Sequence, residues 1–174
     1  MNMKKISVLH LFILFASCAT NPKKLVEQNK SLENQLNAAT YTLTLPENWH
    51  PYLDLHNELS YKPVKYQEKY PEVEIYIRST PADIPLNKLV DERIQIFASL
   101  SDYSKKISQI QSKFGETYIV DEKFKLNMRN YVNRTTYFEY KGEYYHYNYS
   151  SIPRLFNKYI DDYASIFESL EFKE

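Results

Sequence analysis

Apolar residues along this chain recur with two different periods, and each period marks a different kind of element. In Val73-Glu74-Ile75-Tyr76-Ile77-Arg78 they alternate, so Val73, Ile75 and Ile77 share one side and Glu74, Tyr76 and Arg78 the other, as in a half-buried strand. Tyr41-Thr42-Leu43-Thr44-Leu45 alternates up to Pro46, and Glu47-Asn48 then supplies a turn before Trp49. Leu59-Ser60-Tyr61-Lys62 predicts a further short strand stopped by Pro63, with an exposed connection over 64–72. After a loop bracketed by Pro81 and Pro85, the period changes: Leu86, Leu89, Val90, Ile94, Phe97 and Leu100 fall at helical spacing. The same period can be followed through Ile107, Ile110 and Phe114. The preferred division is a break near Ser101-Asp102, a strand over 107–111, a turn at Gly115 and a strand over 118–120.

Alternation is clearest over 131–150, a hairpin turning at Lys141-Gly142. In its second arm Tyr145, Tyr147 and Tyr149 share one face, and Tyr144, His146 and Asn148 the other. A two-residue turn sets Phe138 and Tyr140 across the ladder, whereas a longer turn with a left-handed Gly142 sets Tyr137 there. Ser151 is placed to cap a last helix with Pro153 in its first turn. Ile152, Phe156, Tyr159, Tyr163, Ile166 and Leu170 step by four and three, a continuous buried stripe, and Phe172 follows in an extended tail.

Upstream of position 41 the pattern is of another kind. Leu25, Asn29, Leu32 and Leu36 make a seam too brief for a coiled coil, so 18–40 reads as a polar, partly helical tether, with a short dimerising zipper as the alternative. At the start, Lys4 and Lys5 precede an apolar run over 6–15 that falls short of the roughly 20 residues a spanning helix needs. A basic start, a short apolar stretch and small residues is the pattern of a removable signal. Phe15-Ala16-Ser17-Cys18 resembles the lipobox of bacterial lipoproteins, and Cys18 is the only cysteine in the chain. The resemblance implies a signal peptide over 1–17 and a diacylglycerol on the Cys18 thiol. An uncleaved signal anchor or a leader cut elsewhere is the other reading of these residues. Ala19, in place of Asp, resembles lipoproteins passed to the outer membrane, which implies a lipid anchor there facing the periplasm.

The order of elements over 41–174 also carries a resemblance. Leu45-Pro46-Glu47-Asn48-Trp49 near the start, and Phe156, Tyr159, Ile166, Ser169 and Phe172 near the end, are similar to the PsbP-like fold, with Asn48 standing where glycine is usual. That fold is shared by an extrinsic photosystem protein, a Ran-binding nuclear import factor and many small bacterial lipoproteins. It implies an α+β domain, an α/β/α sandwich whose mainly antiparallel sheet is flanked by helices. It also implies a binding or assembly role without catalytic residues.

Composition narrows the chemistry. Net formal charge is +0, with no long block of either sign, so the concentrated basic face that captures nucleic acid is missing. Two glycines, Gly115 and Gly142, are too few and too far apart for a phosphate-binding loop or a dinucleotide fingerprint. With Cys18 acylated, no thiol is left for a disulfide or for covalent catalysis, and no Ser-His-Asp set has a supporting context. No cofactor is implied. His50, Asp54 and His56 have ligand chemistry within seven residues, but as an incomplete set they read more simply as a polar loop than as a metal site. Asp161-Asp162 and Glu168 fall on the solvent side of the last helix.

Seventeen tyrosines matter more, because tyrosine joins a large apolar body to a polar tip. One hairpin face must cover a helix. The other, Tyr144, His146 and Asn148, is either a recognition surface or the underside of a second helix layer. The expectation is a non-catalytic envelope protein, not an enzyme, that binds an envelope protein partner or helps assemble a complex. The alternative is a periplasmic carrier of a small molecule or metal.

Overall fold

The computed structural model describes residues 22–64 and 72–174. The expected leader, Cys18 as the expected lipidation site, and most of the 64–72 connection lie outside the described residues. The elements are α1 (Pro22–Ala38), β1 (Tyr41–Thr42), β2 (Trp49–Leu53), β3 (Leu59–Pro63), β4 (Val73–Pro81), α2 (Leu86–Phe97), β5 (Ser101–Ser112), β6 (Gly115–Leu126), β7 (Arg129–Tyr140), β8 (Glu143–Ser151), α3 (Pro153–Ser169) and β9 (Glu171–Phe172). Among the described residues seven strands form one sheet in the order β2-β3-β4-β8-β7-β6-β5, antiparallel at every pairing. No helix among them is long and apolar enough to cross a membrane.

Period-2 alternation splits the sheet into two faces. On one, Val73, Ile75, Ile77, Phe138, Tyr145, Tyr147 and Tyr149 meet the α3 stripe of Tyr159, Tyr163, Ile166 and Phe167. Tyrosine is tolerated in this core because its hydroxyls find backbone acceptors. Tyr147 donates to the Tyr163 carbonyl at 2.8 Å, and Tyr149 to the Phe156 carbonyl at 2.9 Å. The Tyr147 and Tyr163 rings stack 4.6 Å apart. On the opposite face a smaller cluster joins Val90 and Ile94 of α2 to Val120 and Tyr137. Helices therefore lie on both faces, the α/β/α sandwich that the sequence led us to expect.

The strands turn where the backbone can go left-handed. Lys141 (φ 50°) and Gly142 (φ 79°) make a two-residue turn, so Phe138 faces Tyr145 and Tyr140 faces Glu143. That settles the open register in favour of the shorter turn. A second such turn, at Asn127 (φ 50°) and Met128 (φ 63°), joins β6 to β7 and carries no sequence signal beyond Asn127.

Three local expectations are corrected. The 41–45 strand is ordered as strand only over β1, which pairs with β9 in a separate two-stranded ribbon. Leu43 and Leu45 instead pack on the α3-side core. Trp49–Leu53, expected as a turn and loop, is the edge strand β2. Ser151 does not cap α3: it ends β8, Ile152 takes the cap position, and no side chain bonds to the helix amides there. Pro153 does open α3, where its missing N–H leaves nothing unpaired.

The tether is helical over α1, and its last turns dock on the domain. Gln35 Oε1 accepts the Leu59 amide at 3.0 Å, its Nε2 donates to the Asn57 carbonyl, and Leu32 packs against the α3-side core. Leu32, one seam residue of the proposed zipper, is thus engaged by its own domain, while Leu36 stays exposed.

Candidate functional site

Tyr144, His146 and Asn148 do share one face of β8, but that face is not open. The three are 5%, 8% and 3% exposed, which removes them as a recognition surface. Tyr144 donates to the Ile84 carbonyl, in the loop before α2, at 2.7 Å. The His146 ring sits 5.0 Å from that of Tyr137, and Asn148 Nδ2 donates to Thr135 Oγ1 at 2.7 Å. The cause is the second amphipathic helix. Leu89, Val90 and Ile94 of α2 must be buried against something, and the face that α3 leaves uncovered is the one available. Burial, followed by the charge of Arg93, pushes His146 down to about 4, so it is neutral at pH 7.

His50, Asp54 and His56 do not converge on a shared point. His50 belongs to β2, opposite Lys62, and is lowered by burial and then by that lysine. Asp54 builds the β2–β3 turn: its Oδ1 accepts the amides of His56 at 2.8 Å and Glu58 at 2.9 Å, while Oδ2 pairs with Arg78 at 3.0 Å. Its lone pairs are thus engaged by the fold. Among the described residues no three His, Cys, Asp or Glu side chains gather as a metal-holding group.

Cross-strand register reveals a feature that no single strand discloses. On the α2-side face, His50, Lys62, Glu74, Ser150, Asn133, Glu122 and Lys105 stand in one row across the whole sheet. Glu74 accepts the Tyr52 hydroxyl at 2.6 Å, and Glu122, 2% exposed, accepts the Tyr103 hydroxyl at 2.8 Å. Burial raises both carboxyls above the usual carboxylate range. Lys62, Asn133 and Glu122 of this row are buried, and Lys105 at its end is exposed.

The open concavity lies on the other face. α3 covers β4, β8 and β7, and leaves the halves of β5 and β6 nearest its amino end bare. There a groove of about 730 Å³ runs between the strands and the first turns of α3. Its walls are Lys106, Asp121, Lys123, Val132, Phe156 and Asn157. Asp121 holds Arg134 bidentately, Nε at 2.6 Å and Nη2 at 2.9 Å. The half-buried Phe156 ring is fixed by stacking on Tyr149 at 5.1 Å. Among these residues Phe156 belongs to the stripe expected of α3. The lysines gave no signal in the sequence, because Lys106 and Lys123 meet only through the β5–β6 pairing.

No protein-family model matches the chain, and no curated protein matches it. Solved structures do. LpqN, involved in cell envelope biogenesis of Mycobacterium tuberculosis, superposes with a TM-score of 0.58 at 12% identity, over 77% of this chain and 83% of its own. PA94 of Pseudomonas aeruginosa, a protein of unknown function, gives 0.52 at 10% identity, over 78% and 99%. The cyanobacterial PsbP of Synechocystis gives 0.52 at 11% identity, over 77% and 87%. With the seven-stranded antiparallel sheet and its flanking helices, these likenesses make the fold of this chain the PsbP-like one.

Proposed function

We propose that this chain is a lipid-anchored, non-catalytic binding protein of the cell envelope, held by Cys18 in the outer membrane on the periplasmic side, and that it carries a small molecule in the α3 groove. The observation that carries this reading is the groove itself. Its volume falls within the range of small-molecule sites, roughly 300–1,000 Å³, and a fixed aromatic ring stands in its wall among a few polar groups. The envelope role of LpqN, a structural neighbour, and the lipobox at Phe15-Ala16-Ser17-Cys18 support the location. Native mass spectrometry of the lipidated chain in detergent tests it. A co-purifying small molecule that disappears when Asn157→Trp fills the groove is the expected result. Retention of that molecule in the Trp variant overturns the site. Loss of the acylated amino-terminal peptide in Cys18→Ser is expected, and a mature chain with a free Cys18 thiol refutes the anchor.

A second reading, binding of an envelope protein partner, has a different observation behind it. β5 is the outer strand of the sheet, and its Ile107 and Ile110 are exposed. A photocrosslinker at position 110 joining one envelope protein in cells, with groove variants unaffected, is the result that favours it.

A further inference from the structure

Taking the α3 groove as the binding site, we infer that its occupant is an organic anion: a carboxylate, sulfonate or phosphate carried on a ring or other compact apolar body. Charge and wall chemistry point the same way.

The groove is lined by three lysines, Lys105, Lys106 and Lys123, and two aspartates, Asp102 and Asp121. Asp121 is matched by the two-toothed Arg134 pair, which removes its charge from the account. Lys105 points to the opposite sheet face, where it acts on Glu122. Lys106 and Lys123 remain on the α3 side, and among the described residues no ion pair ties up either. The two residues sit on adjacent strands, Lys106 opposite Asp121 and Lys123 opposite Ser104 in the ladder.

The amino end of α3 opens onto the same space, since Pro153 and Asn157 line it. A helix start carries partial positive charge, usually answered by a capping oxygen or an acidic first turn. Here no side chain caps the helix, but Glu72 answers its start: the Glu72 carbonyl accepts the Ile152 amide at 3.1 Å, and the Glu72 carboxylate pairs with Arg154 of the first turn at 2.8 Å. The positive charge facing the cavity is therefore that of Lys106 and Lys123, set against the single carboxylate of Asp102. A neutral ligand leaves that field unused.

Phe156 and Val132 set the rest of the ligand. Phe156 offers a ring held in place by Tyr149 on one side, with the Arg134 guanidinium 5.9 Å from it. A planar or compact apolar body is what such a wall packs against. Two lysines also suit a single anionic group better than a polyanion, whose binding scales with the number of phosphates neutralised.

Isothermal titration calorimetry of the lipidated chain in detergent tests this, with 2-naphthoate and its uncharged analogue 2-naphthalenemethanol as probes and a micelle blank subtracted. Naphthoate is expected to bind at least about tenfold more tightly than the alcohol. Replacing both Lys106 and Lys123 by Gln is expected to remove that preference without lowering the thermal midpoint, since both side chains are exposed and no like charges are set opposite Asp121. Equal binding of the two probes, each abolished by Asn157→Trp, overturns the anion inference while leaving the groove as a site. Binding of neither probe, or binding indifferent to Asn157→Trp, overturns the groove itself. Naphthoate affinity unchanged in the double Gln variant also defeats the inference. Competition by soluble dihexanoyl phosphatidylglycerol assigns the anion to a lipid headgroup; its failure assigns it to a free organic anion.

Discussion

Trp49 Nε1 donates to Asp162 Oδ2 at 2.7 Å, joining the edge strand β2 to the middle of α3. The Trp49 ring also meets Tyr159 edge-on, centroids 5.8 Å apart. The bond fixes the α3 layer to one edge of the sheet, where β2 pairs with one neighbour only. It also gives Asp162 a structural partner, where the helical period assigned it to solvent. Asp162→Ala is expected to cost about 1–2 kcal/mol, the loss of a partly exposed hydrogen bond to a charged acceptor. Asp162→Asn, which keeps an acceptor oxygen, should cost less. Urea unfolding followed by Trp49 emission measures both, and equal midpoints for Ala and wild type refute the link.

Core depth separates two phenylalanines that look alike in the sequence. Phe138 is fully buried and stacks on Phe114 at 4.4 Å and Tyr145 at 5.6 Å. Phe156, one stripe residue among several, is only half-buried because it walls the groove. Phe138→Ala should therefore destabilise by about 3–5 kcal/mol, and Phe156→Ala by roughly half as much. Chemical denaturation of the two variants side by side checks the order, and a larger loss for Phe156 contradicts the assignment of depth.

Much of the fold was legible because its periods are clean. β4, α2, the β7–β8 hairpin and α3 each follow from alternation or helical spacing, and the break at Ser101-Asp102 falls where β5 begins. The register needed a structure: a Lys-Gly turn is a poor type I′ signal, and only the left-handed Lys141 settles it. The Tyr144, His146 and Asn148 face was misjudged for a reason that the sequence itself contains. Two amphipathic helices require two apolar faces, so a second covered side follows from the α2 stripe once it is counted against the sheet. The groove was not legible at all. Its lysines, its ring and its helix start come from β5, β6 and α3, and only tertiary packing brings them together.

Backbone strain offers a gain in stability. Met128 is 92% exposed and sits at φ 63° in the two-residue turn between β6 and β7. A side chain bearing Cβ pays about 1–2 kcal/mol in that region, and Asn-Gly is the favoured pair for such a turn. Met128→Gly restores that pair and is expected to raise stability by about 0.5–1 kcal/mol, the entropy of the more flexible unfolded chain offsetting part of the relief. A lowered thermal midpoint shows that the turn is not of this type.

His146 makes acid the more damaging direction on the α2 side. It stands opposite Arg78 of β4, whose charge is paired with Asp54 and Glu58, and opposite Tyr137 of β7, with the charge of Arg93 on α2 adding to its burial. Folded, its pKa is pushed down to about 4, while the unfolded value is about 6.5. Between those two values the unfolded chain binds the extra proton. Stability from this group is therefore present above pH 6.5 and is lost as pH falls through about 4, by at most on the order of 3 kcal/mol. Glu74 and Glu122 act with the opposite sign: burial raises both, so their contribution is greatest in acid and is lost as pH rises through their folded values. The pH dependence is thus a contest, and single variants separate its parts. His146→Gln should flatten the fall in stability between about pH 6.5 and 4. Glu122→Gln should gain on wild type as pH rises toward neutral, and the gap should close in acid. Urea midpoints across that range read both effects. Parallel curves for wild type and His146→Gln mean that the imidazole is hydrated, and that α2 does not seal the face on which it lies.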